Sequence, residues 1–211
     1  MKTREVLILR VILIVAVMFI AGCGGKNYKE GSEAADSIQD VEQEAIVVRE
    51  RVNATVKALD NMFTNKGNLK KQFKTYIKSL DELESQEKRT RKRIKTMASR
   101  KADYLKRWES QMATIDNKTL RQTAQQRRRS VEEMFANVKK EMEAADRVFD
   151  PFIQKLKDIQ TAMNMDLNRN GLNAVRSVAV EAKEDARKIN GRLDAAISEL
   201  SRAVKALSTK G

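Results

Sequence analysis

From about residue 34 onward, the apolar residues of this chain recur at alternating intervals of three and four. The first run is Ile38, Val41, Ala45, Val48, Val52, Thr55, Leu59 and Met62, the seam of a helix packing along other helices. Asn65-Lys66-Gly67-Asn68 ends it with turn chemistry. A second seam runs Leu69, Phe73, Tyr76, Leu80 and Leu83, then resumes at Ile94, Met97 or Ala98, Leu105, Trp108 and Met112. Between them Glu84 to Arg93 carries no apolar residue. Nothing there breaks a helix, and one register fits both sides with Glu87, Thr90 and Lys101 as polar fillers, so one long helix is expected.

Asp116-Asn117-Lys118-Thr119 supplies the next turn and cap. The third seam is Leu120, Ala124, Arg127, Val131, Met134, Val138, Met142, Ala145, Phe149, Phe152, Leu156, Ile159 and Met163, with a stutter of two consecutive fours at Met134–Val138–Met142. Pro151 falls inside it. Either it kinks one helix, which the unbroken phase favours, or Asp150 caps a fresh helix with Pro151 at its first position. After the turn at 164–171, Leu172, Val175, Ala179, Ala182, Ala186, Ile189, Leu193, Ala196, Leu200, Ala203 and Leu207 complete a fourth seam. Its alanine-rich first half predicts close helix approach.

The fold class expected is therefore all-α: an elongated antiparallel bundle, or coiled coil, of about four helices in a single domain over 34–208. The helices are placed at about 34–63, 69–114, 119–164 and 172–208. At about 1.5 Å per residue they span roughly 45, 70, 70 and 55 Å. Short turns make neighbours antiparallel, so the second and third helices form a long hairpin projecting past the other two. Pairing about its turn sets the polar stretch 84–93 opposite residues near 141–150.

The N-terminus has a different pattern. Lys2, Arg4 and Arg10 precede ten unbroken apolar residues, Val11 to Ile20. That is too short to span a bilayer, which takes about 20 residues, and it has the layout of an export signal. Ile20-Ala21-Gly22-Cys23 closes it and resembles the bacterial lipobox, which implies cleavage before Cys23, a diacylglyceryl thioether on its sulfur and an acyl chain on the new amine. Two or three chains at about 0.8 kcal/mol per buried CH₂ hold where one does not. Residues 1–22 are then a removed signal and 23–33 a lipidated cysteine with a flexible tether, Gly24 to Glu33 being polar, glycine-rich and aperiodic. Gly24 stands where aspartate would resemble the inner-membrane retention signal of enteric bacteria, which favours the outer membrane, facing the periplasm.

Composition narrows the chemistry. With no histidine among 211 residues and one cysteine, a Ser-His-Asp triad, a Cys-His pair, a His-ligated metal centre and a disulfide scaffold are excluded. No cofactor is expected beyond the lipid on Cys23, and no catalytic or metal site. Paired acids such as Glu132-Glu133 and Glu181 with Glu184-Asp185 lie at spacings of solvent faces, and an enzyme is not expected.

Charge supplies the functional hint. The chain carries a net +13, and residues 86–131 hold fifteen basic against four acidic residues. Losing residues 1–22 leaves +11, all of it in that segment. The candidate patch for an anionic partner is Arg91, Lys92, Arg93, Arg100, Lys101, Lys106, Arg107, Arg121, Arg127, Arg128 and Arg129. Such a patch suits phospholipid or lipopolysaccharide headgroups, envelope glycans or an acidic protein; a merely solvated helix surface is the plainer alternative. Nucleic acid needs similar charge, but export argues against it. Trp108, with Tyr104 and Met112, either dips into a membrane interface or, as favoured, fills the hairpin seam against Leu120, Ala124 and Val131.

Arg91-Lys92-Arg93-Ile94, Trp108-Glu109, Asn117 with Leu120-Arg121, Met142 and Ala145 ahead of Asp150-Pro151-Phe152, and Asp166-Leu167-Asn168 with Ala174-Val175 together resemble a bacterial family of unknown function. Its members look like exported, often lipidated, all-helical proteins. The resemblance spans most of residues 35–207 and implies a long antiparallel coiled-coil bundle; it brings no activity and no functional residues. Two functional expectations follow. The first is a lipid-anchored, non-enzymatic helical scaffold or adaptor of the cell envelope, acting on an envelope protein or through coiled-coil self-association. The second is an electrostatic module for anionic lipids or glycans, using hairpin 86–131.

Overall fold

The computed structural model describes residues 25–64 and 67–208, and the side chains of residues 25–28 and 30 are outside the description. Helices are α1 (Gly25–Thr64), α2 (Leu69–Met112), α3 (Lys118–Met165), the short α4 (Arg169–Ala174) and α5 (Arg176–Leu207). No strand occurs among the described residues. The signal segment 1–22, Ile20, Ala21, Gly22 and Cys23 lie outside them.

The first and fourth seams are buried as the spacing predicts, from Ile38 to Met62 and from Leu172 to Ala203. Alanine at 179, 182, 186, 196 and 203 brings α5 close to both α1 and α3, while α1 also packs closely on α2. The backbones of α2 and α3 stand further apart. Larger side chains fill that side, including Tyr76, Leu80, Leu83, Phe149 and Phe152. The four long helices therefore form a bundle in which α2 faces α3 across the widest gap.

Helix α2 runs unbroken through the polar stretch, and α3 runs unbroken through Pro151. A fresh helix capped by Asp150 is thereby set aside. Asn68 and Asn117 cap α2 and α3, their side chains accepting from the Lys71 and Leu120 amides at 3.1 and 3.0 Å. Asn168 caps α4 by accepting from the amides of Asn170 and Gly171. A Cβ on Gly171 would lie 1.9 Å from the Asp166 carbonyl oxygen, so only glycine lets the chain fold back this closely.

Three sequence expectations need correction. Helix α1 begins at Gly25, so most of the stretch read as a tether is helical. A Cβ on Gly31 would sit 3.7 Å from the Tyr104 ring, and Ala34 and Ala35 are buried: these small residues let α1 continue along α2. Secondly, α3 buries Phe135 where Met134 was expected, and its Arg127 is exposed while Arg128 is half-buried. With Arg128 and Phe135 inside, positions 124 to 163 step in alternating fours and threes, and the stutter disappears. Thirdly, Gln86 takes the buried place assigned to Glu87.

Gln86 belongs to a polar layer. Its amide donates to the Glu44 carboxylate, Arg89 donates to its oxygen, and the Thr90 hydroxyl donates to the Gln86 carbonyl at 3.0 Å. This layer falls between two apolar clusters. The larger runs from Ala45 and Tyr76 to Phe152 and Leu193; the smaller holds Ile38, Val41, Met97, Leu105, Val131, Phe135, Val138, Leu200 and Ala203. A buried amide satisfied on both sides costs little, which is why the helix passes through the apolar gap without breaking.

Candidate functional site

Most of the arginines expected to face a partner are turned to a neighbouring helix. Arg91 reaches Glu87 on its own helix, and Asp146 and Asp150 on α3 at 2.8 and 2.7 Å. The Glu87 hydrogen bond, with help from Asp146, holds its guanidinium still more firmly protonated against the opposing effect of burial. The polar stretch thus does meet the 146–150 region of α3. Arg93 pairs with Asp40 at 3.1 Å and approaches Glu44 at 3.9 Å, and Arg100 pairs with Glu33. These ion pairs tie basic α2 to acidic α1, as Arg51 and Glu82 do in the opposite sense at 2.5 Å.

The rest of the patch is spread over several faces. Lys101 lies over the Phe135 ring, 5.5 Å from its centroid. Arg127 donates to the Ala206 carbonyl at 2.6 Å, and Arg128 reaches Glu109 and Glu132 at 3.4 and 3.3 Å. Arg121 donates to the Ile115 carbonyl at 2.8 Å and so closes the α2–α3 turn. Lys92, Lys106, Arg107 and Arg129 are exposed. Lys106 and Arg107 share an open cleft of about 510 Å³ with Glu33, Arg100, Asp103 and Ser110. One continuous stripe of exposed cations over 86–131 does not exist; Lys92 is exposed in mid-helix, and Lys106, Arg107 and Arg129 are exposed nearer the turn.

That turn is also where the chain's ends meet. Gly31 is level with Tyr104, and Arg127 is level with Ala206. The start of α1, the α2–α3 turn at 113–117 and the end of α5 therefore share one end of the bundle. Because α1 reaches back to Gly25, only the last turns of the hairpin stand clear of its neighbours.

Here the side chains are partly apolar. Tyr104 and Trp108 meet edge to face with centroids 5.5 Å apart. They line a cleft of about 290 Å³ with Arg107, Gln111, Met112, Ile115 and Ala124. Burial pushes the Tyr104 hydroxyl pKa up, against the opposing charge of Arg127. Leu120, expected in the seam behind Trp108, is 60% exposed instead. The register set by Arg128 and Phe135 leaves it off the core face, and that signal was available in the spacing.

The paired acids act as structural counter-charges. Glu181 and Asp185 both meet Lys155, at 3.2 and 2.7 Å, and Glu132 meets Arg128. Among the described residues no group of three or more His, Cys, Asp or Glu is arranged to hold a metal. No described helix is long and apolar enough to cross a membrane.

Residues 28–207 match the family described as Protein of unknown function (DUF2959). No curated protein and no solved structure matches the chain.

Proposed function

The chain belongs to this family of unknown function, so its role has to be read from its own residues, and we propose that it is a non-enzymatic bacterial lipoprotein. In this reading Cys23 carries the lipid, a membrane of the cell envelope holds the protein, and the bundle acts as a scaffold or adaptor. Gly24 after the cysteine favours the outer membrane and a periplasmic bundle. The observation that carries the reading is Ile20-Ala21-Gly22-Cys23 directly after a ten-residue apolar run. Support also comes from α1 beginning two residues after Cys23: an anchor there would hold a stiff rod of helices by one end. The partner would be an envelope protein or a second copy of the chain.

Changing Cys23 to Ser and following fractionation and intact mass tests the anchor. Loss of the acyl mass and release from the membrane support it; unchanged mass and retention remove it. Crosslinking the acylated protein in cells, with mass spectrometry of what is attached, then names the scaffold's partner.

The alternative of an electrostatic module spread over hairpin 86–131 loses ground. Arg91, Arg93, Arg100 and Arg128 are engaged with acids on neighbouring helices, so the segment does not present its arginines as one free face.

A further inference from the structure

We propose that the end of the bundle around the α2–α3 turn is a second membrane contact, laying Leu120 and the Trp108 cleft against anionic phospholipid headgroups of the bilayer that holds Cys23. The choice of that bilayer rests on the lipid-anchor reading above; the surface itself is argued from the fold.

Six residues separate Gly31 from Gly25, about 9 Å of helix, and Tyr104 lies about 15 Å from the turn by the same rise. The beginning of α1 is thus nearly level with the hairpin turn. Cys23 precedes Gly25 by two residues, about 7 Å of extended chain at most. A cysteine anchored in a bilayer would bring this end of the bundle, rather than its sides, to the lipid surface.

The chemistry of this end fits that surface. Leu120 is exposed at 60% on the first turns of α3. Near the same turn, half-buried Trp108, Tyr104, Met112 and Ile115 line an open cleft, the two rings also packing against the smaller apolar cluster as a seam residue would. Tryptophan and tyrosine favour the level of the headgroups, where an apolar ring and a polar tip are both satisfied. Residues 103–129 carry seven bases against three acids, and Lys205 adds charge from the last turn of α5, where Arg202 is paired with Glu199 at 2.8 Å. Lysines and arginines close to an anionic leaflet are attracted within a screening length. Apolar insertion together with cationic contact distinguishes lipid from an acidic protein, which would need no exposed leucine.

The far end offers a control. Met165 is 79% exposed there and Leu167 36%, roughly 70 Å from Leu120 along the bundle.

Trp108 is the chain's single tryptophan, so its fluorescence reports this end alone. The test uses the full acylated chain purified from membranes and returned to vesicles of phosphatidylglycerol with phosphatidylcholine, or phosphatidylcholine alone, some with brominated acyl chains. Expected in the anionic vesicles are a blue shift and bromine quenching of Trp108, both lost in about 1 M salt, where the screening length falls to about 3 Å. Leu120→Glu with Lys118→Glu, both exposed on the first turn of α3, should cut the quenching several-fold at unchanged helix content, while Met165→Glu leaves it as it was. Emission indifferent to phosphatidylglycerol, or quenching that survives the double change, overturns the proposal. So does a response restricted to an added acidic polypeptide. The two readings fail separately: an anchored chain with unquenched Trp108 sinks this contact alone, whereas a Cys23→Ser chain of unchanged mass and retention sinks the anchor alone.

Discussion

The Tyr76 hydroxyl donates a 2.7 Å hydrogen bond to the Leu156 carbonyl, joining α2 to α3 across the widest gap of the bundle. Both residues are fully buried. Tyr76→Phe keeps the ring and removes the bond, and should cost about 1 kcal/mol in urea unfolding; Tyr76→Ala also opens a cavity and should cost about 3–5 kcal/mol. Burial raises the hydroxyl pKa well above its ordinary 10.0. The unfolded chain therefore loses a proton above pH 10 that the folded chain keeps, so stability should fall as pH rises past that point, and less so in Tyr76→Phe.

The register of α3 can be checked by truncation. Phe135 is 3% exposed in the smaller apolar cluster, while Met134 only packs against it. Phe135→Ala should cost about 3–4 kcal/mol and Met134→Ala about 1 kcal/mol, measured by thermal unfolding. Equal costs would restore the stuttered seam.

Sequence spacing carried the fold far, for a physical reason. On α1 and α5 the apolar sets Ile38–Met62 and Leu172–Ala203 keep one register of threes and fours from end to end, so burial follows directly. On α3, Met134 and Phe135 are adjacent, and only the ring's packing in the smaller cluster decides between them. On α2 the choice between Gln86 and Glu87 depends on Glu44 and Arg89 satisfying a buried amide, contacts that spacing does not encode. The arginines misled for a related reason. Charge counts give the number of cations in 86–131, but Asp40 and Glu33, which neutralise Arg93 and Arg100, lie on another helix.

Gly171 is a second sensitive point. An added methyl would meet the Asp166 carbonyl at 1.9 Å, and that atom is backbone. Gly171→Ala should destabilise the chain by about 2–3 kcal/mol, whereas Gly191→Ala, where a Cβ meets nothing within 4 Å, should be neutral or slightly stabilising. Paired unfolding curves provide the comparison.

Asp185 sets part of the acid limit. Burial alone would raise its carboxyl, but hydrogen bonds from Lys155 and Lys188 outweigh it, and the pKa falls below the ordinary 3.8. A carboxyl depressed in the folded state contributes above its unfolded pKa and loses that contribution as pH falls through the folded value. Stability should therefore drop below about pH 4, and Asp185→Asn should flatten part of that drop. Because the pair is near the surface and screened by solvent, its loss at pH 7 should be a small effect.

An anchor at Cys23 and a lipid contact at the hairpin turn both require the start of α1 to lie beside that turn at one end of the bundle. Spin labels at Ser32 and Ser110, in a chain carrying Cys23→Ser, measure this by double electron–electron resonance. A single narrow distribution near about 15–25 Å is expected, from helix axes 8–10 Å apart plus the label arms. A broad distribution extending beyond about 40 Å, the signature of a loose tether beside a projecting hairpin, would contradict it.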